Sequence, residues 1–158
     1  MESTNLVLLS SDNQKIEIDT ESAQKSNLLK GLISDYNSNQ DPIQLPDIKY
    51  DILKKVVDYL TYYKGKTPLH DALPISSGNL NEVIDDWDVK FINSIDLDSV
   101  FDLINAANYM DIQPLIDLSC AKIASLMKGK SAQEIRTMFN IECDLTEEEL
   151  KEYEEYQI

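Results

Sequence analysis

Leu6-Val7-Leu8-Leu9-Ser10-Ser11-Asp12-Asn13-Gln14-Lys15-Ile16-Glu17-Ile18 is the stretch on which the fold turns. A short apolar run (6–9) and an alternating triplet (16–18) flank a polar segment of turn-forming residues. That pattern predicts a β-hairpin. Thr20 to Ile33 then reads as helix, in two pieces broken near Ser26, and Ser34 to Asp41 reads as a polar loop. Ile43 to Leu45 fits a third short strand closed by Pro46. Almost everything after this point has helical periodicity. The chain is therefore expected to be α+β, a small amino-terminal sheet with helices, and mostly helical overall.

The helices can be followed by their stripes and stops. Ile52, Leu53, Val56, Val57, Leu60 and Tyr63 form one apolar face within 48–63, with Asp47 or Lys49 near its start and Gly65 as its stop. Residues 64–85 have no period and hold Gly65, Pro68, Pro74 and Gly78, which predicts a long loop. Within it, Leu69-His70-Asp71-Ala72-Leu73-Pro74-Ile75 can be encoded by CTACACGACGCTCTTCCGATC, which resembles the end of a widely used sequencing adapter. We read this stretch as a joining artefact, the alternative being a native loop of ordinary composition, and draw no function from it on either reading. Trp87 and Phe91, four apart, fit a short helix pinned by aromatics. Leu97, Val100, Phe101 and Ile104 mark the next helix, which ends near Asn108-Tyr109. Asp111 reads as the N-cap of a helix to about Lys128, with Gly129 just past its end. Ser131-Ala132-Gln133-Glu134 and Thr146-Glu147-Glu148-Glu149 are two capping boxes, each opening a further helix.

The 111–128 helix carries the most informative pattern. Ile112, Leu115, Ile116, Leu118, Cys120, Ile123, Leu126 and Met127 wrap more than one face, whereas a surface helix needs a single stripe. Little chain remains to cover the surplus, so a partner surface is expected there. Phe139-Asn140-Ile141 adds apolar groups in a loop. The last 17 residues hold eight acids and one lysine, a composition that predicts ordering on a partner.

Composition narrows the function. The 158 residues include 29 acidic and 14 basic side chains, for a net charge of −15. Lysines are scattered and Arg136 is the only arginine, so the clustered cations that displace counterions from nucleic acid are missing. An anionic membrane surface would be repelled as well. The longest apolar runs are four residues, too short to span a bilayer. The first residues lack a secretory start, and two cysteines are no disulfide framework, so the expected location is cytoplasmic and nuclear.

Catalytic chemistry finds little support. His70 is the only histidine, and no Cys-x-x-Cys pair exists, so a zinc site lacks ligands. Cys120 and Cys143 read as inert thiols, Cys120 as a buried one. The four glycines form no phosphate loop. Asp85, Asp86 and Asp88 resemble part of a calcium loop but lack its glycine and closing glutamate, so a solvated acidic loop is expected. No catalytic residue, cofactor, metal or small-molecule substrate is expected, and the chain reads as a binding module.

Leu103-Ile104-Asn105-Ala106-Ala107-Asn108-Tyr109-Met110-Asp111-Ile112 resembles the signature of the Skp family, the S-phase kinase-associated adaptors. So does Lys128-Gly129-Lys130-Ser131-Ala132-Gln133-Glu134-Ile135-Arg136, continuing through Phe139-Asn140-Ile141 and Thr146-Glu147-Glu148-Glu149. Trp87-Asp88 with Phe91 is similar to the family's WDxxF element, and Leu28-Leu29-Lys30, Leu45-Pro46 and Ile52-Leu53-Lys54-Lys55-Val56 give a weaker match in the first half. The resemblance implies a BTB/POZ domain over 1–109, with a long loop at about 64–85, extended by F-box-binding helices over 110–158. It implies a non-catalytic adaptor of an SCF (Skp-cullin-F-box) ubiquitin ligase that links a cullin to F-box substrate receptors for ubiquitin-dependent degradation. A RING subunit and a ubiquitin-conjugating enzyme are then indirect partners. By position, Asn108 and Tyr109 match the cullin-contacting pair. Phe101, Ile116, Cys120, Ile123, Ile135, Phe139 and Ile141 match F-box-facing positions, and Ile158 stands nearest the place of a Trp that closes the family's last helix. The family's Thr-Pro is replaced by Thr146-Glu147, so proline hydroxylation cannot occur there. Alternatives on the same residues are an elongin-C-like adaptor, a structural scaffold subunit of a kinetochore or vacuolar-ATPase-regulating assembly, and a self-associating BTB/POZ module.

Overall fold

The computed structural model describes residues 5–39, 41–68, 79–82 and 84–155. The Leu69–Ile75 stretch and Ile158 lie outside the described residues.

The hairpin forms as expected. Strands β1 (Asn5–Leu9) and β2 (Lys15–Asp19) pair antiparallel, with Leu6 opposite Ile18 and Leu8 opposite Ile16 on the face turned to the core. The turn between them places Asn13 at φ 59, a left-handed conformation that Asn tolerates better than most residues. Two helices follow, α1 (Thr20–Ala23) and α2 (Asn27–Asn39). They return the chain so that β3 (Ile43–Gln44) lies parallel to β1, giving the order β2-β1-β3. The break near Ser26 is real, but the polar loop predicted from Ser34 is helix through Asn39. Tyr36, inside that polar segment, is buried seven residues beyond the fully buried Leu29, two turns along the same face.

Helix α3 (Tyr50–Tyr62) is the central support. It buries Ile52, Leu53, Val56, Val57, Tyr59 and Leu60 and packs against β2 and α5 (Leu97–Tyr109). Its N-cap residue, Lys49, offers no side-chain acceptor. Asp12 from the hairpin turn supplies one instead, accepting from the Tyr50 amide at 2.9 Å. Gly65 stops the segment at φ +66, where a side chain would be strained.

Within the described part of the predicted loop is a 3-10 turn, Leu80–Glu82, with Leu80 and Ile84 buried. Helix α4 (Asp86–Asn93) carries the aromatic pin. Trp87 stacks on Tyr62 at 3.6 Å between ring centroids and on Phe91 at 5.1 Å. Asp88 corrects the sequence reading, because it belongs to α4 and is 1% exposed rather than part of a solvated acidic loop. The Tyr63 hydroxyl donates to it at 2.6 Å. A buried carboxylate needs such donors, since burial without them costs several kcal/mol, on the order of 2–7 for even a neutral polar group.

The remaining helices are α6 (Gln113–Met127), α7 (Ala132–Met138) and α8 (Glu147–Glu155). Helix α6 packs on α5 and α4, and Leu115, Leu118 and Ala121 join the core. Asp111 is not the N-cap of α6; that place is Ile112, and Pro114 stands within the first turn, where its missing N–H costs nothing. Asp111 instead closes α5, at φ 52. The Ile112 amide donates to Ala107 O at 2.8 Å and the Asp111 amide to Asn108 O at 3.1 Å, the paired bonds of a Schellman end. Described residues before position 69 and after position 78 share one hydrophobic core, from Leu6 to Ala121.

Candidate partner-binding surfaces

Helix α5 begins at a strong cap. Asp96 accepts from the Ser99 amide at 3.0 Å and from the Ser99 hydroxyl at 2.7 Å. Val100, Leu103, Ala106 and Ala107 then fill the core and leave one stripe outward. That stripe holds Phe101, Asn105, Asn108 and Tyr109, since positions four, seven and eight apart share a helix face. Phe101 is 42% exposed and Tyr109 44% exposed, large values for aromatics in a folded chain. They stand eight residues apart, about 12 Å along the helix.

Helix α6 shows the surplus that its sequence implied. Leu115, Leu118, Ser119 and Ala121 are buried, while Ile116, Cys120, Ile123 and Leu126 are half-buried on the other side and Met127 is exposed. The buried Ser119 hydroxyl is satisfied by Leu115 O at 2.8 Å, so it brings no unmet polar group into the interior. Cys120 is half-buried, less enclosed than its sequence predicted. Burial, helped by the nearby Asp117 carboxylate, pushes its thiol pKa up and keeps it a poor nucleophile.

Gly129 turns the chain out of α6 at φ +76. Helix α7 opens with the reciprocal capping box: Ser131 Oγ accepts from the Glu134 amide at 3.3 Å and Glu134 Oε2 from the Ser131 amide at 2.7 Å. The bond from the Ser131 amide holds the Glu134 carboxyl below its ordinary pKa. Helix α7 buries no residue fully. Ile135 and Phe139 are half-buried, and Phe139 meets Phe101 edge-on with centroids 6.0 Å apart. Asn140, at φ 52, ends α7 and presents Ile141, which is 55% exposed. The second capping box repeats the device at α8, with Thr146 and Glu149 exchanging bonds of 2.9 and 3.4 Å. Between α7 and α8 lies an open cleft of about 840 Å³, lined by Gln133, Arg136, Thr137, Ile141, Cys143, Leu145 and Leu150 among others.

The structure thus brings Phe101 and Phe139 together. It places Ile116, Cys120 and Ile123 on the outer side of α6, and Ile135 and Ile141 along the α7 arm. Asn108 and Tyr109 sit on the exposed end of α5. Leu126 and Met127, part of the two-faced pattern of α6, are also incompletely covered, as is Leu145, which the sequence reading did not single out. Among the described residues no group of three or more His, Cys, Asp and Glu could hold a metal ion. No helix among them is long and apolar enough to cross a membrane.

Comparison with known proteins gives the same outline. Residues 4–65 match the family model described as "Skp1 family, tetramerisation domain", and residues 113–157 match "Skp1 family, dimerisation domain". The chain is 44% identical over 147 residues to an S-phase kinase-associated protein 1 homolog of Tetrahymena thermophila, covering 93% of this chain and 88% of the relative. It is 38% identical over 144 residues to the E3 ubiquitin ligase complex SCF subunit sconC of Arthroderma benhamiae, covering 91% and 87%. The sconC subunit of Aspergillus flavus is 37% identical over 149 residues, covering 94% and 91%. An alignment of 147 residues in a chain of 158 spans both flanks of the 69–75 stretch, so both halves match one relative. With models matched at both ends and relatives aligned across nearly all of it, the chain belongs to the Skp1 family.

Proposed function

We propose that this protein is a non-catalytic adaptor of an SCF ubiquitin ligase, holding a cullin on the end of α5 and the F-box of a substrate receptor on α6, α7 and α8. The observation that carries this reading is the uncovered apolar surface of the carboxy-terminal helices. Ile116, Cys120, Ile123, Phe101, Phe139 and Ile141 are left half-buried or exposed by a chain whose core is otherwise complete. Apolar residues exposed together in this way mark a protein-protein interface. An F-box that buries aliphatic side chains between these helices gains about 1.5–3 kcal/mol per anchor before association costs are subtracted. The names of the sconC relatives, subunits of an SCF complex, support the same assembly.

The cullin surface differs in kind. Tyr109 offers a large flat group with a polar tip, and Asn108 adds hydrogen-bonding capacity beside it. Both lie on α5, which the core holds rigidly through Val100, Leu103, Ala106 and Ala107. The adaptor contributes no reacting group. It acts by proximity, raising the local concentration of a bound substrate near the ubiquitin-conjugating enzyme that a RING subunit brings to the cullin. Its place of work is the cytoplasm and nucleus.

Calorimetry with a purified F-box fragment, paired with a cullin pull-down, tests the two surfaces. The Asn108→Lys, Tyr109→Lys double variant is expected to keep wild-type F-box affinity and to lose the cullin. A well-folded wild type that binds no F-box would sink the adaptor reading. A dimer that persists by light scattering in excess F-box would favour a self-associating module.

A further inference from the structure

We propose that Asn27 and Asp111 form a clamp that positions the cullin-binding end of α5, and that cullin affinity depends on this pair while F-box affinity does not. The inference rests on the adaptor reading above but adds residues outside both surfaces.

The geometry begins with two helix ends facing each other. The last carbonyls of α5 lack intrahelical donors, and the first amides of α2 lack intrahelical acceptors. Here two amides at the start of α2 are satisfied by the carbonyls just past the end of α5. The Asn27 amide donates to Asp111 O at 3.3 Å, and the Leu28 amide donates to Met110 O at 3.4 Å. Ser26, the residue before α2, is fully buried; its hydroxyl donates to Met110 O at 2.5 Å and accepts from the Leu29 amide at 3.2 Å. The positive end of one helix dipole thereby meets the negative end of the other.

Asp111 is the unusual member. It occupies a left-handed conformation, φ 52, at the position where helices ending this way usually place glycine. A non-glycine residue persists there only when its surroundings over-determine it. Asn27 supplies that constraint a second time, through its side chain: Asn27 Nδ2 donates to Asp111 Oδ2 at 2.9 Å. Asp111 stands two residues beyond Tyr109 and three beyond Asn108. Releasing it unwinds the last turn of α5, the turn that presents both of them. The F-box surface is spread over α6 and α7 and over Phe101, two turns earlier in α5, so it does not depend on that turn.

The pair permits a reversal test in the full-length chain. Asn27→Asp faces one carboxylate with another and removes the side-chain donor. Asp111→Asn keeps a residue that tolerates the left-handed region. Together they rebuild the bond with its polarity reversed, and Asp at the start of α2 also suits the helix dipole. Dissociation constants would be measured for a cullin amino-terminal fragment and for an F-box fragment, with hydrogen exchange of the Asp111 and Ile112 amides. Asn27→Asp is expected to weaken cullin binding about tenfold, the worth of one charge-assisted hydrogen bond. Amide exchange should accelerate in the same variant. The double variant should return both to within about twofold of wild type, with F-box affinity constant throughout. Cullin affinity unchanged by Asn27→Asp, no rescue in the double variant, or a parallel fall in F-box affinity would each overturn the clamp. A wild type that binds no cullin while its exchange pattern follows the clamp would count against the adaptor reading instead.

Discussion

Asp12 sits at the tip of the hairpin, yet it organises a helix. Its carboxylate accepts from Ser10 Oγ at 2.7 Å, from Gln14 Nε2 at 2.6 Å and from the Tyr50 amide at 2.9 Å. The Ser10 bond foremost, then those from Gln14 and Tyr50, outweigh desolvation and hold its pKa at about 2, against an ordinary 3.8. A depressed carboxylate pKa contributes stability that is fully present above the unfolded value and is lost as pH falls through the folded one. The Asp12 contribution should therefore fade between about pH 4 and about pH 2. Asp12→Asn keeps an oxygen for the Tyr50 amide and removes the titration. Thermal melts across that range should fall less steeply for the variant, although Asp19, also held at about 2, leaves some slope in both. Parallel curves would show that Asp12 titrates no differently folded and unfolded. The turn itself was legible in Ser10-Ser11-Asp12-Asn13. Its reach to Tyr50 was not, because a cap supplied from 38 residues away leaves no local pattern. Asp88 misled for the same reason: three nearby aspartates look solvated until the fold brings the Tyr63 hydroxyl to one of them.

Helix stripes and local caps formed where they were expected, as with the buried face of α3, whereas features set by distant partners were misread. Both carboxy-terminal capping boxes form, as does the Gly129 turn, since each depends on residues within four positions. The start of α6 was misplaced because Asp111 suits an N-cap and a left-handed C-terminal turn equally well, and the bonds that decide between them, from Ile112 and from the distant Asn27, leave no signal in the local pattern. Gly129 offers a test at this scale. Its φ of +76 disfavours any side chain, yet a Cβ there would meet nothing within 4 Å, so an Ala variant carries only the backbone cost, about 1–2 kcal/mol. Helix α7 buries no residue fully. Little holds this corner in the free protein, whereas the proposed F-box contact along α7 would require it. Gly129→Ala is thus expected to leave the melting temperature nearly unchanged and to weaken F-box binding roughly five- to thirtyfold, the same free energy read as affinity. Gly129→Asn, which tolerates this conformation better, should recover part of the loss. A lowered melting temperature with normal F-box affinity would mean that the corner matters to the fold and not to the partner.

At the scale of the whole molecule the charge of −15 acts over distances that no single contact reaches. It bears most on the α5 surface. Asp98, Asp102 and Asp111 are exposed on or beside the helix that carries Asn108 and Tyr109, and Asp47 lines a small pocket with Asp102 and Asn105 on its flank. If the proposed cullin contact is made through a basic surface, that surface meets a negative field before it meets Tyr109. The proposed F-box surface instead consists of Ile116, Cys120, Ile123 and Phe139, whose contribution would be apolar burial, nearly independent of salt. The two associations should therefore separate by ionic strength. Field-assisted encounter is screened over about 10 Å at 0.1 M salt and less at higher salt, so it appears in the association rate rather than the dissociation rate. Stopped-flow mixing with a cullin fragment should show the association rate falling by about tenfold between roughly 50 mM and 500 mM salt, with dissociation little changed. The F-box association rate should move by less than about threefold over the same range. A cullin rate indifferent to salt would remove electrostatic attraction from the recognition of this surface and leave the acidity to solubility alone. Equal salt dependence for both partners would show that the field belongs to the whole chain and does not distinguish its two faces.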